Sequence, residues 1–309
     1  DLNDPKYISD VQNNGLGMDS QWIDEFHHAL RVTAGEPKKG YYSDFNGLED
    51  LAKSYKDAYV YTGTFSEERN RTFGKEATGH PGKQFIVFSQ NHDQIGNRML
   101  GERSSVLYSP NMQKLLAAAV FSAPFVPMLF MGEEWGSEDP FLYFVSHGDP
   151  ELVEQVRTGR KDEFAAMHNE GEAPDPQSEE TFNKSKLNWV SKEEPKHSKL
   201  FNFYKALIAL RKTNLYLKMC DRDATHVHLH KDQNSIVLER GLTGSSDLLV
   251  CVLNFSKNHE NLPVPKGVNL IQMLLNSSEE VQKYSATIGP ISTIHVQPES
   301  FIAYSATYV

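Results

Sequence analysis

Twice in this chain an apolar run empties into a polar, acidic segment, and a helical stretch separates the two. QFIVFSQNHD (84–93) has a buried-strand pattern from Phe85 to Phe88, then Asn91, His92, Asp93 and Gln94. PMLFMGEEWG (127–136) repeats it, with an apolar run from Met128 to Met131 ahead of Glu133, Glu134 and Trp135. NMQKLLAAAVF (111–121) between them reads as a helix. A strand apolar along its whole length belongs in a sheet covered on both faces, and two such strands joined by a helix predict a parallel β/α unit.

The same alternation extends over the first 215 residues. Trp22, Phe26, Ala29, Leu30 and Thr33 fall on one helical face, with Asp24 and Glu25 in the first turn and Gly35 as the stop. Leu48, Leu51, Ala52 and Tyr55 mark a second helix. Asp149 and Pro150 form a helix start, with a polar excursion, GEAPDPQSEETFNK (171–184), further on. Leu200, Phe203, Tyr204, Leu207 and Ile208 give another amphipathic helix, with Arg211 and Lys212 placed to complement its C-terminal dipole. After residue 217 the texture changes. HVHLH, SIVLER, LLVCVLN, NLIQML, ISTIHV and SFIAYS are short β-branched runs separated by KDQN, GLTGSSD and PVPKG. They predict an antiparallel β-sandwich. The fold class is therefore α/β plus all-β, with domains at 1–216 and 217–309.

The 309 residues, 39% hydrophobic and 23% charged, are those of a globular chain. Leu115 to Met131, the greasiest stretch, is broken by Ser122, Pro124 and Pro127 and reads as buried core, short of the roughly 20 apolar residues of a membrane span. A net charge of −10 opposes nucleic acid as a partner and leaves neutral sugars or a protein open. DLNDPKYISD lacks the pattern of a signal peptide, and Cys220 and Cys251 make neither a disulfide framework nor a zinc spacing, so a cytoplasmic location is expected.

Asn91, His92, Asp93 and Gln94 are the sharpest chemical feature. In a barrel of parallel strands the reactive groups sit at C-terminal strand ends. A carboxylate beside an imidazole and two amides can bind sugar hydroxyls and stabilise positive charge on a sugar ring. A loop rich in turn-forming residues would read the same way. Glu133 and Trp135 could line a sugar cleft, or belong to a charged loop around one buried indole. His27 and His28 are consecutive on a helix and so make a poor metal pair. At least one of them is expected to pack or cap. His226, His228 and His230 share one strand face, and an ordinary polar sheet face is the simpler reading than a metal site. No phosphate loop, dinucleotide fingerprint, G-x-S-x-G elbow or H-E-x-x-H occurs, and no cofactor or metal is expected.

DLNDP, WIDEFHHALRVTAGE, GYYSDF, FSQNHDQIGNRMLGER, MLFMGEEWG and PFLYFVSHGDPELVEQVRTGRKDEF together resemble glycoside hydrolase family 13, the α-amylase family, over almost the whole of residues 1–215. Within it they look most like its trehalose-releasing hydrolases, which cleave the α-1,4 bond next to the trehalose unit of maltooligosyl-trehalose. The resemblance implies the second half of a (β/α)8 barrel followed by a β-sandwich. It also implies a retaining mechanism with an Asp nucleophile, a Glu general acid/base and a stabilising Asp. Asp93 then matches the stabiliser and His92 a sugar-hydroxyl contact. Asn91, Gln94, His27, His28, Glu133 and Trp135 become cleft neighbours.

The family's R-x-D nucleophile stretch is not found at a strand end, and its general acid would lie just upstream of DLNDP. The chain alone is expected to be inactive and to seek the missing N-terminal half of the barrel, or a second copy of itself, through exposed edges. Another activity on α-glucan within the family (α-amylase or branching) and a non-catalytic glucan-binding module are the competing expectations.

Overall fold

The computed structural model describes residues 3–166, 173–279 and 287–309. Residues 171 and 172 of the polar excursion, and the first two residues of DLNDP, lie outside them. The chain divides into two compact units. One comprises residues 1–89, 111–128 and 202–309, and the other residues 90–110 and 129–201.

The first unit holds the strands. β1 (Gln21–Trp22), β4 (Phe85–Val87) and β5 (Val126–Pro127) form a sheet in the order β1-β4-β5. Both pairs are parallel, with Trp22 opposite Ile86 and Ile86 opposite Val126. Between β1 and β4 the chain makes α1 (Asp24–Thr33), α2 (Leu48–Asp57) and a hairpin of β2 (Thr62–Ser66) and β3 (Arg71–Gly74). Between β4 and β5 it makes α5 (Pro110–Ser122), whose buried run from Leu115 to Ser122 explains its apolar density.

Three sequence expectations shift here. Trp22 does not share the face of α1; it precedes the helix on β1 and is half in solvent, because helical geometry starts only at Asp24. The second strand is Val126–Pro127, ahead of the Met128–Met131 run. The core stretch that begins at Leu115 ends at Phe125, and Val126 and Met131 are exposed.

Seven further strands follow α8 (Pro195–Thr213) and α9 (Leu215–Lys218): β6 (Thr225–His230), β7 (Ser235–Arg240), β8 (Asp247–Asn254), β9 (Glu260–Pro263), β10 (Val268–Asn276), β11 (Thr293–Val296) and β12 (Ser300–Tyr308). Five make an antiparallel sheet in the order β10-β12-β8-β7-β6, and β9 pairs antiparallel with β11. Val250 and Val252 from the large sheet meet Leu262, Ile294 and Val296 from the small one in a dry core. The opposite face of the large sheet is covered as well. α2 lies against β6 and β7, and every residue of β7 is buried. That double cover accounts for the unbroken apolar stretches at residues 236–238 and 248–253.

Arg211 stands in the last turn of α8, where the sequence places it. It is buried, and its guanidinium donates to the carbonyl oxygens of Phe121 (2.6 Å), Ala123 (3.2 Å) and Phe125. Arg240 of β7, fully buried, donates to Ser122 O, Tyr216 O (3.0 Å) and Thr225 Oγ1 (3.1 Å). Two buried cations thus gather the carbonyls of the turn from α5 into β5, where no regular ladder would satisfy them. Burial pushes Arg240 down to about 10.

The second unit has no strand among its described residues. It contains α3 (His92–Gly96), α4 (Ser104–Leu107), α6 (Pro150–Ala166) and α7 (Glu179–Lys184), with short 3-10 turns at Glu133–Trp135 and Trp189–Glu193. α6 starts where the sequence places it, Asp149 Oδ1 accepting from the Glu151 amide at 2.9 Å. Phe130, Phe141, Phe144 and Phe182 form an edge-on series with centroid spacings of 5.2, 5.8 and 5.2 Å. Among the described residues no helix is long and apolar enough to cross a membrane.

Candidate active site

The backbone leaving β4 is held by a buried histidine. His27, from α1, has no solvent exposure; its Nδ1 lies 2.7 Å from the Ser89 carbonyl oxygen and its Nε2 3.0 Å from the Tyr42 hydroxyl. A carbonyl accepts only, so Nδ1 carries a proton and donates it to Ser89. His28 packs edge-on to Tyr42 and tilted against Phe45, at 5.2 and 5.0 Å. Burial, then the Arg69 charge, pushes it down to about 3. Both ring nitrogens of His27 are engaged in the interior, a packing role that the sequence left open for one of the two histidines. His28 is a neutral packing residue.

In the second unit, the segment expected as a polar loop is the short helix α3. Asn91 is its N-cap, Oδ1 accepting from the amides of Asp93 (2.8 Å) and Gln94 (3.4 Å), and Gln94 Oε1 accepts from the Asn91 amide at 2.9 Å. This is a capping box with Asn and Gln in the two roles. Gln90, also buried, accepts through Oε1 from both the amide and the hydroxyl of Ser104, each at 3.0 Å. Asn91 and Gln94 are thereby committed to their own backbone. His92 and Asp93, at the first two helical positions, point outward with side chains 53% and 60% exposed, His92 Nε2 3.4 Å from Asp93 Oδ1. A helix start also favours a carboxylate.

The MGEEWG turn is built differently. Gly132 (φ 86°) and Gly136 (φ 67°) are left-handed and flank the 3-10 turn. The left-handed φ of Gly132 is what favours glycine at this position. Arg103, fully buried, donates from Nη1 to Met131 O (2.7 Å) and from Nε to Asp139 O (2.5 Å). Burial lowers its pKa to about 10 against the opposing fields of Asp139, Glu133 and Glu134. Glu133 is buried and accepts from the Phe130 amide at 3.2 Å. Trp135, expected to line a sugar cleft, is 1% exposed and packs on Trp189 at 5.1 Å; its carbonyl faces His197 Nδ1 at 2.7 Å. The exposed indole of the pair is Trp189, at 60%.

The second unit therefore brings Asn91, His92, Asp93 and Gln94 together on one turn, and joins Glu133 and Trp135 in another. His27 and His28 belong to the first unit. Sequence reasoning missed Gln90, Arg103 and Tyr42 as supports. Only the N-x-x-Q spacing at Asn91 and Gln94 held a readable signal; a lone Arg or Tyr carries none. Among the described residues no group of three or more His, Cys, Asp or Glu could hold a metal ion. His228 of the three-histidine strand face lies 2.5 Å from Glu239, which also accepts from the Tyr308 hydroxyl at 2.7 Å.

No family model matches the chain. Among curated proteins it is 43% identical over 222 residues to a malto-oligosyltrehalose trehalohydrolase of Saccharolobus solfataricus, covering 72% of this chain and 37% of that one. It is 38% identical over 245 residues to one of Mycobacterium tuberculosis, covering 78% and 42%. The chain thus spans about two fifths of the length of the relatives it matches. A crystal structure of a protein assigned as an alpha amylase from Salmonella typhimurium superposes with a TM-score of 0.79 at 30% identity, over 93% of this chain and 47% of that one. A pullulanase from Bacillus acidopullulyticus shares the fold at a TM-score of 0.57 and 16% identity, over 94% and 31%. On these similarities the chain belongs to glycoside hydrolase family 13, the α-amylase family, as a relative of its malto-oligosyltrehalose trehalohydrolases.

Proposed function

We propose that this chain is the part of a retaining α-glucan hydrolase that supplies its transition-state-stabilising carboxylate, Asp93. The whole enzyme cleaves the α-1,4 bond next to the trehalose unit of maltooligosyl-trehalose and releases trehalose. The observation that carries this reading is the turn after β4, which presents Asp93 and His92 outward on a capped helix start while Asn91 and Gln94 are spent on holding it. In glycoside hydrolysis positive charge develops on the sugar ring, and a fixed carboxylate stabilises it without reorganising. His92 hydrogen-bonds the sugar hydroxyls beside it. Glu133 and Arg103 support the neighbouring turn.

Retaining chemistry also needs a nucleophile and an acid about 5 Å apart. We place both in the remaining length of the enzyme. We further read β1, β4 and β5 as strands of a (β/α)8 barrel within residues 1–216, with residues 217–309 as the β-sandwich. The parallel order with helical crossovers supports this, as do the exposed Trp22 and Val126 on the outer strands. The partner for those edges is the other half of the barrel, with self-association as its substitute. Cys220 and Cys251, both unpaired and buried, support a reducing, cytoplasmic setting.

The test is trehalose release from maltooligosyl-trehalose by this chain alone, and mixed with a separately made N-terminal part of the relatives' length. Activity only in the mixture is expected, and Asp93→Asn should lower it by about 10²–10³-fold, the typical cost of losing one stabilising group. Activity from the chain alone, or equal cleavage of plain maltooligosaccharide, would overturn the respective part of the proposal.

A further inference from the structure

We infer that Arg160 is a positioning residue for His92 and Asp93, acting as the C-terminal clamp of α3. This rests on the reading of Asp93 given above. A helix of five residues does not hold its shape in water by itself, because helix nucleation is costly and both its ends leave backbone groups without partners. The N-terminal end of α3 is closed by its capping box. The carbonyl end needs a donor from elsewhere, and α6 supplies one. Arg160 Nη2 donates to Gly96 O at 2.7 Å, and Nη1 reaches Asn97 Oδ1 at 3.4 Å. The guanidinium lies 4.5 Å from the centroid of the Tyr143 ring, which fixes its plane. A cation here also complements the helix carbonyl end.

The link to Asp93 is short. The Asn97 amide donates to the Asp93 carbonyl oxygen at 2.9 Å, so the residue that Arg160 holds closes the single turn carrying Asp93. Arg160 acts on that backbone and not on the carboxylate. Its own base is firm, since α6 is 17 residues long and capped by Asp149. Lysine would keep the charge but lose the two-pronged donor and the stacked plane.

The experiment uses Arg160→Gln and Arg160→Lys. In this chain, amide exchange at Ile95, Asn97 and Arg98 should rise at least 10-fold in Arg160→Gln, with the rest of the second unit unchanged. In the reconstituted mixture kcat should fall about 10- to 100-fold, with KM within about 2-fold, and the lysine variant should recover part of the loss. Unchanged exchange at these three amides, exchange rising throughout the unit, or a change in KM with kcat intact would each overturn the inference. Asp93→Asn run in parallel separates the two ideas. If it proves harmless while the local exchange result holds, the clamp stands and the catalytic reading falls.

Discussion

The antiparallel sheet and the turns that follow β4 and β5 are held in opposite ways. In the sheet, strands of up to nine residues satisfy one another's backbone groups, and the order comes from burial. Val250, Val252, Leu262 and Ile294 meet with almost no solvent exposure. The parallel strands are two or three residues long. In the first unit side chains tie the backbone, His27 to Ser89 and Arg211 and Arg240 to the carbonyls of residues 121–125; in the second unit Gln90 holds Ser104, and Arg103 holds Met131 and Asp139. Apolar burial is strong but non-directional, so it secures a domain without aiming any group. Hydrogen bonds from buried polar side chains are directional, and they occur where a turn must present chosen side chains such as His92 and Asp93.

The contrast predicts different responses to substitution. The largest loss is expected on the burial side. Leu248→Ala empties a site in the sheet core and should cost about 2–5 kcal/mol, read as a lower unfolding midpoint. A cost below about 1 kcal/mol would break the comparison, because burial would then not be what holds the sheet. On the polar side, Arg211→Met keeps the side-chain stem while leaving the carbonyls of Phe121, Ala123 and Phe125 without their donor, at roughly 2–3 kcal/mol. If Arg211→Met proved stabilising, the cation would be an expensive relic and not a tie.

The smallest effect is the change of about 1.4 kcal/mol expected between pH 6 and pH 7 from one carboxyl group. Glu25, at the start of α1, is buried with Oε2 accepting from the amides of Val60 and Tyr61. Burial pushes it up to about 8, against these bonds. The folded state therefore holds a proton that the unfolded chain, near 4.5, has released. Its stabilising contribution is full below about 4.5 and is lost as pH rises toward 8. The slope is about 1.4 kcal/mol per pH unit inside that window. Thermal melts at pH 6 and 7 should show it, and Glu25→Gln should flatten it. A slope of the opposite sign, or no change in Glu25→Gln, would show the carboxylate to be ionised in the fold.

How much of this was legible depends on how local the cause is. The strands from β6 to β12 that carry β-branched runs, α5 with its alanine and leucine density, and the α6 start at Asp149 and Pro150 all announce themselves, because each is settled by a few neighbours in sequence. The site segment was legible as chemistry but not as structure. The residues of NHDQ stand out, yet the N-x-x-Q capping box that turns them into a helix start passed as loop polarity. MGEEWG left two readings open, a cleft-lining indole or one buried in a charged loop, and Trp189, 54 residues on, is what covers it.

By itself, then, the sequence determined the change of texture after residue 217, the helices and strands with strong periodicity, and the four polar residues that leave β4. Those follow from periodicity, capping and residue type, which act over a few residues. Only the tertiary structure decided which of the named side chains face solvent. His27, Glu133, Trp135 and Arg211 are interior, while His92, Asp93 and Trp189 are not. Burial is set by what packs from far along the chain, and a side chain's local sequence carries no record of that partner.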